Sequence, residues 1–585
     1  MKYNKIITAI ASVLLFGTYS CTEDWNDHYA SSVMGEGTLW GTISQDPAIS
    51  NFSTLLQAVG YDANLNSSQM FTVFAPTNDN FTEADCKALI EQYNAEKAQG
   101  KKDEKNTVIK EFVQNHIALY NYTVSGAMPD KEISMMNGKR LSFTNESFDG
   151  HAFIDGKYNI LAGNGVLYLV DDKATYVPNI YEYITKDADL SQVRDFIYRY
   201  HEDEFSPNES VPGEIVDGKT QYLDSVTHIK NEMWMDMSNI MDTKDRVWLN
   251  AQLNDEDSIY YSVLPTNSVW DELVARNEKY FNYDKQVANR DSFMYVFPRF
   301  FALAGTQFST TVNPDLDLAL EADSVVSTNA WAYRSRKNMY GTYDAKYFVY
   351  SKPQNNIFKN VEPVECSNGL VLKATKWDVD PRSTIVQDIL MEAEGKNTVD
   401  SLMGWPLTAK PIWTPRKVTT DNPFHGKVSN DEFYELTPRA SVAPAVLLDF
   451  TNVLSNVKYD MYVVTAPATA YDTLAVDTKP TKFVATVKYH KETGAEVEQE
   501  ITNKVTGIMV EAGDFDYDEY AFVTDPTKVH QIKIGTFIFP TASYGTDKPQ
   551  VKILLDVDVT NREVTQGKFT KTLYLDCIKL VPRLD

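Results

Sequence analysis

Phe71-Thr-Val-Phe-Ala-Pro-Thr-Asn-Asp-Asn-Phe81 is an apolar run closed by Pro76 and a polar Thr-Asn pair. The run predicts a short buried strand that the proline ends. Thr77 and Asn78 can then hydrogen-bond the backbone of the following turn. Far downstream, Tyr260-Tyr-Ser-Val-Leu-Pro-Thr-Asn-Ser-Val-Trp270 has the same form. Aligning Pro265 on Pro76 keeps Pro-Thr-Asn and places Trp270 where Phe81 stands. Cys366-Ser-Asn-Gly-Leu-Val-Leu-Lys373 then answers Asn164-Gly-Val-Leu-Tyr-Leu-Val-Asp-Asp172 at a comparable distance from its strand. The pattern predicts one fold used twice, the second time in degenerate form.

Around the first motif, Ile49, Phe52, Leu55, Leu56 and Val59 recur at helical spacing until Gly60 stops them. Thr82-Glu-Ala-Asp85 has the form of a capping box. Ile109, Val113, Ile117 and Tyr120 predict one face of a second helix over Val108–Tyr120. Asn137-Gly138 and Asn164-Gly165 favour turns between paired strands. His116, on the buried shoulder of that helix, reads as a hydrogen-bonded structural histidine.

The chain has 585 residues, too many for one core, and 43% of them are hydrophobic, which rules out global disorder. A formal net charge of -26 argues against nucleic acid, whose phosphates call for clustered Lys and Arg, but not against glycans or peptides. From about Asn397 helical periodicity gives way to short alternating runs. Val446–Phe450, Tyr459–Val464, Lys482–Tyr489, Ile532–Phe539, Val551–Asp558 and Leu573–Val581 predict an antiparallel β-sandwich.

Phe71–Phe81, then Asn115–Tyr120, Met136–Leu141 and Asn164–Asp172 resemble, in this order, the motifs of the fasciclin domain. Pro178-Asn-Ile-Tyr-Glu-Tyr-Ile184 is similar to that family's closing segment. The resemblance implies a fold in which a wedge of β-sheets packs on helices, in a family of adhesion and interaction modules. The closing Leu573–Pro582 run resembles the last strand of jelly-roll carbohydrate-binding modules. The expected fold class is therefore multidomain α+β: two fasciclin-like α/β domains followed by a jelly-roll-like antiparallel β-sandwich.

At the N-terminus, Lys2 and Lys5 precede the uncharged, mostly apolar Ile6–Gly17, a secretory signal core too short to span a bilayer. Cys21 follows Ser20. This resembles a bacterial lipoprotein signal, with Cys21 as the lipid-bearing first residue of the mature chain. Glu23, Asp24 and Asp27 resemble the export signal of Bacteroidota surface lipoproteins. The resemblance implies an outer-membrane, extracellular, lipid-anchored protein. The expected organisation is a signal peptide over 1–20, an acidic tether over 21–37, a fasciclin domain over 38–190, a degenerate second copy over 191–393 and the sandwich over 394–585.

No zinc-protease helix, nucleophile elbow, Walker loop or dinucleotide-binding glycine pattern occurs, and the eight histidines lack ligand spacing. No catalytic residue, cofactor or metal ligand is assigned. Asp514-Phe-Asp-Tyr-Asp518 departs from a calcium loop at Glu519 and Asp525 and reads as a solvated loop. Trp331, Tyr333, Tyr340, Tyr343, Tyr347 and Tyr350 offer either a sugar-stacking platform or, more simply, sheet core. The expected function is non-enzymatic: binding a glycan or peptide ligand, or scaffolding a TonB-dependent SusC/SusD-like nutrient-uptake complex. A cell-surface adhesin and a surface glycan hydrolase are the alternatives.

Overall fold

The computed structural model describes residues 35–124, 131–216, 218–234, 248–332, 345–393, 412–439, 442–450, 452–475, 478–546 and 550–584. The chain divides into two units. The first runs to Val177 and takes in Asp203–Ile229; the second comprises Pro178–Glu202 and everything from Lys230 onward.

In the first unit, helix α1 (Leu39–Ile43) is capped by the Thr38 hydroxyl, and α2 (Ser50–Ala58) buries Phe52, Leu55 and Leu56 before Gly60 turns left-handed. Strand β1 (Phe71–Pro76) is buried along its whole length. Helix α3 (Glu83–Ala98) begins with the predicted capping box of Thr82 and Asp85. Then follow β2 (Ile117–Leu119), β3 (Lys131–Ser134), β4 (Arg140–Phe143), β5 (Ile160–Ala162) and β6 (Gly165–Val170). The main sheet has the order β2-β1-β6-β5, with β1 and β6 parallel. Strand alternation splits β1 between two cores. Phe71, Val73 and Ala75 face the helices with Phe52, Leu56 and Val113. Phe74 faces the small sheet carrying β3 and β4, where Phe143 and Phe148 pack on it beside Tyr168 of β6.

The predicted helix over Val108–Tyr120 is shorter than its spacing implied. A π-turn spans Ile109–Val113, a 3-10 turn spans Gln114–His116, and Ile117–Leu119 leaves to pair with Val73–Phe71. A short apolar run satisfies helix and strand periods alike, and the open edge of β1 decides.

The second unit rebuilds the same framework. Helices α4 (Ile180–Lys186) and α5 (Ser191–Ile197) are followed in the chain by a hairpin of β7 (His201–Val216) and β8 (Lys219–Asn231), of which Asp203–Ile229 belongs to the first unit. After it come β9 (Tyr260–Pro265), α6 (Asn267–Asn277), α7 (Arg290–Phe300), β10 (Gln307–Ser309), β11 (Val361–Cys366) and β12 (Gly369–Ala374). The sheet order is β10-β9-β12-β11, with β9 and β12 parallel and Tyr260 opposite Gly369, as Phe71 is opposite Gly165.

The duplication extends to single hydrogen bonds. Asn164 Oδ1 accepts from the Leu39 N–H at 2.7 Å while its amide donates to Leu65 and Ser67 carbonyls. Asn368 Oδ1 accepts from the Ile180 N–H at 2.9 Å while its amide donates to Leu253 and Asp255 carbonyls. Pro178–Ile184, similar in sequence to a closing segment, therefore opens the second copy: Ile180 and Ile184 occupy the places of Leu39 and Ile43. The sequence-based boundary at residue 190 falls between α4 and α5.

The sandwich is built from β13 (Ile389–Glu392), β14 (Ile412–Lys417), β15 (Glu432–Thr437), β16 (Ala445–Phe450), β17 (Lys458–Thr465), β18 (Lys482–His490), β19 (Glu496–Ile501), β20 (Met509–Ala512), β21 (Phe522–Val523), β22 (His530–Ile538), β23 (Val551–Val557) and β24 (Leu573–Arg583). One sheet runs β14-β15-β24-β17-β22-β20 with β13 also on β24; the other runs β16-β23-β18-β19 with β21 on β18. Every strand pair is antiparallel. All six predicted runs are strands. Within the second unit the sandwich meets the fasciclin-like copy through Tyr544, whose ring lies 4.9 Å from Phe297, 5.3 Å from Phe301 and 5.9 Å from Phe281. The Tyr283 hydroxyl donates to the Tyr544 carbonyl at 2.8 Å, and buried Asp284 faces His490 at 3.2 Å.

Candidate functional site

Cys21, Glu23, Asp24 and Asp27 lie outside the described residues. His116 is fully buried. Its Nε2 accepts from the Ala174 N–H at 3.0 Å, which leaves the proton on Nδ1 to donate to the Phe112 carbonyl at 2.7 Å. Burial holds its pKa down at about 4, so the ring is neutral and structural. Among the considered aromatics, Tyr350 is fully buried and donates to the Gly305 carbonyl. Tyr333, Tyr340 and Tyr343 lie outside the described residues, as do the side chains of Trp331 and Tyr347.

The acidic run at 514–518 instead organises a presentation loop. Asp514 accepts from the Lys533 N–H at 2.8 Å, and Asp516 Oδ1 accepts from the Asp518 and Glu519 N–H groups. Asp516 pairs with Ala521 across the loop. Phe515 anchors it by packing edge-on against buried Phe522. Glu519 is held by Lys482 and Lys568, and the Lys568 hydrogen bond keeps its carboxyl below the ordinary range. On this fixed loop Tyr517 is 65% exposed and Tyr520, at φ +52°, is 76% exposed. A bulky residue in the left-handed region costs energy that the surrounding bonds must supply. The carboxylates were the signal in the sequence; the fold shows Tyr517 and Tyr520 to solvent beside the exposed Asp514 and Asp518.

Strand β21 leads from this loop to a cleft of about 40 Å³ lined by Thr465, Thr481, Thr524, Asp525, Thr570 and Tyr574. That space admits a hydroxyl or a water, not a sugar ring. Beside Tyr574, Arg416 stacks over Tyr471 at 4.3 Å and pairs with Glu435 at 2.5 Å. Burial, with Glu435 and Tyr471 nearby, pushes the Tyr574 phenol well up, so it stays a protonated donor.

The pairing of β13 with β24 sets Glu392 opposite Cys577 and brings Glu392, Asp576 and Cys577 together, their ligand atoms within 4.8 Å of one another. Glu392 lies far in sequence from the adjacent Asp576 and Cys577, so no local motif signals this cluster. Glu392 Oε1 accepts from Ser429 Oγ at 2.6 Å and Asn430 at 3.1 Å, and both Asp576 oxygens lie 3.2 Å from the Ser429 N–H. The two carboxylates are donors suited to a hard cation, while the thiol is not.

Residues 47–173 match the family model of the fasciclin domain. Among solved structures the chain is similar to a FAS1 domain pair from the insect cell adhesion molecule Fasciclin I, at 12% identity and TM-score 0.18, covering 58% of this chain and 99% of that one. It is also similar to the CBM22-2 xylan-binding domain of Paenibacillus barcinonensis Xyn10C, at 8% identity and TM-score 0.19, covering 33% and 99%. A third similarity is to the C-terminal family 22 carbohydrate binding module of Clostridium thermocellum Xyn10B, at 10% identity and TM-score 0.17, covering 32% and 90%. No curated protein matches. With the sheet order, the two-faced β1 and the family match in agreement, the first unit of this chain carries a fasciclin domain.

Proposed function

We propose that this chain is a non-catalytic surface lipoprotein that binds carbohydrate through its sandwich and uses its fasciclin-like copies for protein contact. The observation that carries the reading is the braced 514–521 loop, which holds Tyr517 and Tyr520 out in solvent. Exposed aromatic rings held rigidly can stack on sugar faces with little loss of side-chain entropy on binding. The Tyr574 cleft supplies hydroxyl-sized polar contacts at the other end of β21.

Acylation at Cys21, export directed by Glu23, Asp24 and Asp27, and association with SusC/SusD-like transporter components belong to the same proposal. A membrane-confined protein gains from high effective concentration even where each contact is weak.

A glycan array, with affinity gels and a broad hydrolase screen, tests the binding reading on the full chain. Binding to a polysaccharide should fall by at least about tenfold in Tyr517→Ala and Tyr520→Ala variants, the scale of an aromatic hot spot. Substrate turnover would favour the hydrolase. Peptide binding without glycan binding would favour the adhesin. Cys21→Ala should move the protein out of the membrane fraction.

A further inference from the structure

Strand β22 pins the segment that carries Tyr517 and Tyr520 at both of its ends. At the first end the Asp514 N–H donates to the Lys533 carbonyl at 2.7 Å, and Asp514 Oδ2 accepts from the Lys533 N–H at 2.8 Å. At the second end the Asp525 N–H donates to Nδ1 of His530, the first residue of the same strand, at 3.1 Å. Between the pins lies β21, two residues long, paired with Lys482 and Phe483 of β18. The Thr524 N–H donates to the Thr481 carbonyl just beyond it. Without the His530 pin, these few contacts hold that end. Asp525 itself lines the Tyr574 cleft.

The two pins answer differently to pH. The first is held in part by peptide groups, which do not titrate. The second needs a ring nitrogen free to accept, so it exists with neutral His530, its proton on Nε2. Protonation turns Nδ1 into a donor facing the Asp525 N–H, and the bond becomes a clash of two donors. Burial, and then the Lys528 ammonium, holds the His530 pKa below its ordinary 6.5, against the pull of the Asp525 and Asp514 carboxylates. Asp525 is engaged with Thr527 and Lys528, and Thr465, opposite His530 on β17, carries no charge. Because the folded value lies below the ordinary one, the bond is intact above pH 6.5 and is lost as pH falls through the folded value.

We propose that His530 is a pH latch on the sugar-contact surface: neutral, it holds Asp525 and the rim of the Tyr574 cleft in place, and protonated, it releases them. The regulation of binding rests on the carbohydrate reading of this surface, whereas the latch itself does not.

Hydrogen exchange read by mass spectrometry on the full chain, at pH 7.5 and pH 4.5, follows the latch without any ligand. Relative to intrinsic exchange rates, protection across Phe522–Thr527 should fall at least about fivefold at the lower pH, the scale of one lost hydrogen bond. Strands β17 and β24 should keep theirs. His530→Gln, whose Oε1 accepts at either pH, should remove the step. His530→Arg, which only donates, should show the low protection at both. Affinity electrophoresis against xylan, β-glucan and galactomannan then reads binding, which should weaken at least about fivefold at pH 4.5 in wild type and not in His530→Gln. Unchanged protection, or a step that survives in His530→Gln, would overturn the latch. A latch that opens while binding stays constant would overturn its regulatory role. A step in exchange with no polysaccharide bound at either pH would support the latch and count against the carbohydrate reading.

Discussion

His116 shows how one buried side chain ties stability to pH. Its folded pKa of about 4 lies below the ordinary value of 6.5, so between these values the unfolded chain binds the additional proton. Its contribution is therefore intact above pH 6.5 and is lost as pH falls toward 4, on the order of 3 kcal/mol in full. Denaturant titrations from pH 7 to pH 4.5 should show this slope, and His116→Gln should flatten it relative to wild type. At Gly369 stability depends instead on the lack of a side chain. At φ +130° its added Cβ would lie 1.9 Å from the Tyr260 carbonyl oxygen, because the parallel partner strand passes directly over it. Gly369→Ala should cost about 1–3 kcal/mol or more in thermal unfolding of the second unit. Asn-Gly was legible in the sequence as a turn. Its tighter role, letting β12 begin flush against β9, needed the register.

At the scale of elements, Asn78 and Asn267 join each first-strand turn to the preceding helices. Asn78 Oδ1 accepts from the Asn51 N–H at 3.0 Å while its amide donates to the Pro47 carbonyl at 2.8 Å. Asn267 does the same with Gln192 at 3.0 Å and Ala188 at 2.9 Å. Each Asn→Ala change should lower the stability of its own unit by about 1–2 kcal/mol, with Asp intermediate because it accepts but cannot donate. Differential scanning calorimetry can assign each loss to its transition. The Pro-Thr-Asn identity made this element readable as a repeat. The segment that opens the second copy was not readable as a repeat: only Ile184 and Asp187 keep the identities of Ile43 and Asp46, while Ile180 and Leu190 keep just the apolar character of Leu39 and Ile49. Two identities in a short stretch do not stand out; apolar size and spacing carry the rest. The Tyr517/Tyr520 loop was hidden for a different reason, since exposure is a property of the folded neighbours and no local pattern encodes it.

At the scale of the molecule, the second fasciclin-like copy and the sandwich share a buried aromatic joint, with Tyr544 only 5% exposed among Phe281, Phe297 and Phe301. Tyr544→Ala should lower the second unit's transition by about 3–5 kcal/mol and leave the first unit's transition in place. Calorimetry that showed only a sandwich transition moving would refute the joint. The division of the chain has its own outcome during synthesis. The first unit's main sheet is complete once Val170 has been made, yet its helix-side core includes Val211, on a hairpin that follows α4 and α5 of the second unit. A chain emerging N-terminus first must therefore carry an unfinished core past the opening helices of the next unit, at a stage when exposed apolar surface invites misassembly. A gene truncated at residue 190 inherits that unfinished state permanently, whereas one extended to residue 229 supplies the hairpin that closes it.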